Sequence, residues 1–179
     1  MTLPVGPRVL AACAAVLSIG LAAPAYAAIG SIDDPAGDTP PHSLDVVRAT
    51  LDNQDHAIVV KVRFRHARRG DLIVSVDPRG ARGVRLISQY RPAGTTTNFV
   101  LPGAFTNSGG GAEAIQCPGF RVRWNTVLDR ARLVLPSTCL QDGDYGAMRF
   151  GVLTEAAAGG SDADYAPGDE GTSSWIARG

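Results

Sequence analysis

Among the side chains able to do chemistry in this 179-residue chain the carboxylates stand out, and eight of the 17 fall in two groups. Asp33, Asp34, Asp38 and Asp45 stand near the start, and Asp162, Asp164, Asp169 and Glu170 near the end. Calcium takes about six to eight oxygens, drawn from carboxylates and loop carbonyls. Asp34, Asp38 and Asp45, on a stretch rich in Pro and Gly, are therefore the candidate calcium ligands. Neither group has EF-hand or glycine-rich repeat spacing, and the same residues also serve in Asx-turns and strand caps. The sequence leaves both readings open.

Other chemistry finds little support. The chain has no Gly-x-Ser-x-Gly elbow and no His-Glu-x-x-His pair, and Gly109-Gly110-Gly111 lacks the Lys of a phosphate loop. His42, His56 and His66 fall in predicted turns, where an imidazole is usually just solvated. Nothing pairs a nucleophile with a base, so a non-catalytic protein is expected. No cofactor other than calcium is suggested.

The elements that must position these groups read as strands. Ile58, Val60, Val62 and Phe64 alternate with Val59, Lys61, Arg63 and Arg65. Period two marks a strand with one face on a core. Strands are also expected over 44–52, 72–77, 84–90 and 95–101, at Phe120 to Asn125, at 133–135 and at Met148 to Val152. A closing strand at Ser173 to Ile176 would dock Trp175. Residues 28–41 read as an irregular arm, 156–171 as a loop, and Ser137 to Leu140 as a short helical turn. Eight or nine short strands without an amphipathic helix favour a single antiparallel β-sandwich over an α/β fold, with a barrel as the competitor.

The first 27 residues are read separately. Arg8 precedes an apolar run to Ala22, and Ala25-Tyr26-Ala27 has the small residues a signal peptidase reads, placing cleavage between Ala27 and Ala28. The run is short for a membrane span, which needs about 20 apolar residues. Leu10-Ala11-Ala12-Cys13 resembles a lipobox, but its Cys precedes most of the apolar run, so a lipoprotein is the lesser alternative. The expected mature protein is secreted and carries no membrane anchor.

The mature chain would hold 17 acidic residues and 17 − 1 = 16 basic ones, counting Arg8 as removed. Near neutrality argues against a dedicated nucleic-acid or membrane-surface protein. Lys61 is the only Lys, an imbalance read as high-GC genomic composition. Cys117 and Cys139 remain, and an even pair in an exported chain predicts a disulfide. If Phe120 to Asn125 pairs with 132–135 as a hairpin, the two Cys overhang its outer ends almost equally. Closing that loop would add about 3 kcal/mol of stability.

Asp34-Pro35-Ala36-Gly37-Asp38, followed by Leu44-Asp45-Val46 and the strands up to Phe64, resembles the opening of secreted actinobacterial β-sandwich proteins. These are in turn similar to family 9 carbohydrate-binding modules and DOMON-type domains. Leu135 to Leu140, Asp164 to Pro167 and Trp175 to Gly179 agree with the same group. The resemblance implies the sandwich fold and export. It transfers no ligand, because the exposed tryptophans of true sugar-binding members have no residue-by-residue match here. The resulting expectation is an extracellular binding module for glycan or another surface ligand. The alternative is a structural or protein-interaction component of the cell envelope.

Overall fold

A computed structural model of the chain describes residues 28–40, 43–107, 113–156, 162–168 and 171–179. The expected signal segment and lipobox, His42, the triple glycine, Asp169 and Glu170 lie outside the described residues.

The strands are β1 (Ala28–Asp33), β2 (Val46–Asn53), β3 (Ala57–Phe64), β4 (Gly70–Pro78), β5 (Val84–Tyr90), β6 (Thr97–Pro102), β7 (Arg121–Asn125), β8 (Arg130–Pro136), β9 (Met148–Glu155) and β10 (Asp164–Ala166). They form two five-stranded sheets, ordered β1-β2-β3-β8-β7 and β10-β9-β4-β5-β6, with every pairing antiparallel. The fold is the expected sandwich, with ten strands rather than eight or nine. Among the described residues the helices are 3₁₀ turns of three residues, one of them at Ser137–Cys139, and none is long and apolar enough to cross a membrane.

Both strands beyond the expected count lie at sheet edges. Residues 28–33, read as an arm, pair along their whole length with β2, and Asp164–Ala166 pairs with β9 inside the stretch read as a loop. The closing strand expected at Ser173 to Ile176 is reduced to a single bridge between Met148 and Ile176.

The alternation in β3 sets the core. Ile58, Val60, Val62 and Phe64 are buried, while Lys61, Arg63 and Arg65 are exposed. They pack with Leu51, Leu133 and Leu135 of the same sheet against Leu72, Val74, Leu86, Phe150 and Val152 of the other. Burying one such side chain contributes about 1.5–3 kcal/mol, which is what holds the two sheets face to face.

Polar contacts fasten the sandwich at its margins. Trp124 of β7 lies between Phe64 (5.4 Å between ring centroids) and Tyr90 (4.3 Å), and its indole N–H donates to Ser88 Oγ across the sheets at 3.0 Å. Near one end the N–H of Val46 donates to Asp164 Oδ2 at 2.7 Å, and Thr154 Oγ1 donates to the carbonyl of Leu44. Near the other, the side chain of Asn53 donates to the carbonyl of Ile176, and Arg178 donates to the carbonyls of Gly143, Tyr145 and Asp55.

Candidate functional site

The end of the sandwich where β1 finishes and β2 begins is acidic. β1 delivers Asp34, and a turn through Gly37 carries the chain to Asp38. Gly37 has φ +89°, a conformation few residues other than glycine adopt, and a Cβ there would stand 2.7 Å from Arg65 Nη1. The N–H of Gly37 donates to Asp45 Oδ2 at 2.8 Å, so Asp45 anchors the turn that presents Asp34 and Asp38.

The two acidic groups of the sequence meet here. Oxygens of Asp34, Asp38 and Asp164 all lie within 4.8 Å of one another. Asp164 comes from β10 and is carried in by its pairing with β9. Of the three carboxylates chosen as calcium candidates, Asp34 and Asp38 are in this group. Asp45 stands beside it, bonded to Gly37, with its Oδ2 3.9 Å from Arg65 Nη1. The sequence offered no means of pairing Asp164 with residues more than a hundred positions earlier; its only signal was the second acidic group.

The electrostatics are those of like charges crowded out of water. Asp164 is 4% exposed. Burial first, and then the charges of Asp34, Asp38 and Asp45, push its pKa up to about 7, against the lowering effect of the Val46 N–H. The Asp34 carboxyl is likewise raised, mainly by burial and then by Asp38, while the backbone N–H of Gly168 works the other way. Asp34 Oδ2 and Asp45 Oδ1 are buried and accept no hydrogen bond among the described residues. Buried acceptors normally find a donor. Carboxylates collected in this way, with unused oxygens, suit a hard divalent cation. Arg65 supplies only part of the missing positive charge, since its side chain is 57% exposed and its contact is long.

The remaining expected groups fall as follows. Cys117 and Cys139 form a disulfide with Cα atoms 5.5 Å apart, outside the hairpin of β7 and β8. His56 and His66 are exposed turn residues. Ala28 is the first residue of β1, and Ala27 lies outside the described residues. Trp124 and Tyr90 are half-buried in their stack, so neither is an open platform.

Trp175 is 40% exposed in an open cleft with Asp77, Arg79, Arg82, Thr106 and Arg149. The guanidinium groups of Arg79 and Arg149 lie 4.6 and 4.9 Å from its ring centroid. Arg149 is in turn held by buried Asp77 at 2.8 Å. The exposed tryptophan is thus engaged by cations. The sequence could not foresee this, because Arg79 follows β4 and Arg149 stands near the start of β9, two segments far apart along the chain.

Comparison of the chain with family models, curated proteins and solved structures found no match.

Proposed function

We propose that this chain is a non-catalytic extracellular binding module for glycan or another surface ligand, with calcium completing its acidic end. The observation that supports the cation is the meeting of Asp34, Asp38 and Asp164 beside buried, unpartnered carboxylate oxygens. The ion would be held by these three side chains, with Asp45 fixing the turn beneath them. Its chemistry would be structural, neutralising charges that otherwise oppose closure of the two sheets.

Calorimetric titration of the chelator-treated protein with calcium tests the ion. Saturable one-to-one binding, lost in Asp38→Asn, is expected; no heat, and no rise in melting temperature at millimolar calcium, would refute it. A panel of soluble and insoluble polysaccharides tests the binding reading.

A second reading, a protein-interaction component of the envelope, is favoured by the tip of the β7–β8 hairpin. Val127 is 89% and Leu128 54% exposed there, adjacent apolar side chains largely open to solvent. Val127→Ser with Leu128→Ser would weaken capture of a protein partner and leave polysaccharide binding unchanged.

A further inference from the structure

The outer face of the first sheet carries cations in rows. Strand alternation turns Lys61 and Arg63 of β3, Arg130 and Arg132 of β8, and Arg121 and Arg123 of β7 outward, and all are exposed. The register sets them side by side. Arg123 is opposite Arg132, which is opposite Lys61, and Arg130 is opposite Arg63. None of the six has an ion-pair partner among the described residues, although the whole chain has a formal net charge of zero. Val59 and Val134, on the same face as the cations, are only 4% and 5% exposed, as expected where long amphipathic side chains flank them.

Like charges directly opposite one another destabilise a sheet. Charges on an edge strand alone would serve to block edge pairing. Here they continue inward from β7 through β8 to β3, further than that purpose requires. A local rule broken without an internal gain marks a surface shaped by something outside the chain.

We propose that this half-sheet binds a linear acidic polysaccharide carrying carboxylates along its length. The proposal rests on the reading of the chain as a binding module and names its ligand class. Five of the six cations are arginines, whose planar fork pairs with a carboxylate through two hydrogen bonds. Neighbouring strands are about 4.8 Å apart and alternate residues along a strand about 6.8 Å apart. The cations therefore form a regular lattice, which suits evenly spaced carboxylates on an extended chain running across the strands.

Other polyanions fit less well. Single-stranded nucleic acid uses aromatic stacking platforms, whereas Phe64 and Trp124 are turned to the inside. Duplex grooves are read by a projecting helix or ribbon, which this face lacks. An anionic membrane would want exposed apolar side chains spread among the cations; the exposed pair Val127 and Leu128 stands at one end of the face only, in a cleft beside Arg63 and Arg130.

Affinity electrophoresis and titration of the purified protein in chelator, with polygalacturonate as probe, test the proposal. Polygalacturonate should bind and neutral dextran should not, with affinity falling steadily as salt rises. Each of Lys61→Gln, Arg123→Gln and Arg132→Gln should weaken binding by about tenfold, and Arg82→Gln, at the opposite sheet, should not. The same three variants should melt no lower than the wild type, since each relieves like-charge repulsion, so lost binding cannot be mistaken for lost folding. Binding of dextran or cellulose with no response to these substitutions would overturn the face and leave the module reading intact. Binding of no polysaccharide would overturn both. Tighter binding to duplex DNA or phosphatidylglycerol vesicles, lost in the same variants, would overturn the choice of ligand.

Discussion

Replacing Asp164 by Asn separates the cost of the acidic cluster from its use. The side chain keeps an oxygen that can accept the Val46 N–H, and it loses a buried charge facing Asp34, Asp38 and Asp45. In the metal-free protein the folded pKa is about 7, against 3.8 for the free side chain. The folded state therefore holds its proton more tightly than the unfolded state. The contribution of Asp164 to stability is full below about pH 4, is lost as pH rises towards 7, and changes no further above that. A displacement of that size corresponds to about 4 kcal/mol of penalty on the ionised form. Relaxation of exposed Asp38 and of Arg65 reduces it, and a gain of about 2 kcal/mol for Asp164→Asn at pH 8 is the working figure. For a domain of this size that is a rise of about 4–8 °C in melting temperature. The assay is thermal unfolding of both proteins at pH 4 and pH 8, in chelator and in millimolar calcium. In chelator the variant should gain at pH 8 and not at pH 4. In calcium the order should reverse, because the wild type gains a ligand that the variant cannot hold fully. A variant no more stable than the wild type in chelator at pH 8 would refute the repulsion argument.

Two further outcomes test the frame. Val60→Asp places an unpaired carboxylate in the core and should cost several kcal/mol, roughly, by chemical denaturation, whereas Lys61→Asp next to it should be neutral or stabilising on the cationic face; equal losses would show that β3 is facing the wrong way. The oxidised protein should weigh two hydrogens less than the reduced one, and reduction should cost about 3 kcal/mol; labelling of both thiols in unfolded, unreduced protein would contradict the Cys117–Cys139 bridge.

The parts of this fold that could be read in the sequence are those whose pattern is local. Val60 and Lys61 declare their faces through alternation, and Cys117 and Cys139 could be paired because the strands between them form one hairpin. β1 and β10 were missed for the opposite reason. Ala28–Asp33 holds a glycine and two isoleucines out of phase with strict alternation, and Asp164–Ala166 is too short for any periodicity. Each is a strand only because a neighbour offers a free edge. The same limit applied to function. Asp34 and Asp38 were visible as neighbours, but Asp164 joins them through sheet topology. The arginines of β3, β7 and β8 were visible strand by strand, but their rows follow from register, which no single strand encodes.

The meeting of Asp38 and Asp164 has a consequence for the order of events in folding. The two belong to opposite ends of the described chain, and their meeting requires β10 on β9 in one sheet to face the start of β2 in the other. A cation gathered by them cannot seed the structure, because its cage does not exist until nearly everything else does. A bound cation would act as a latch, leaving the rate of folding close to that of the bare chain and slowing the rate at which the finished sandwich opens. Persistence of the folded protein would then follow the calcium level of its surroundings, through the lifetime of the folded state.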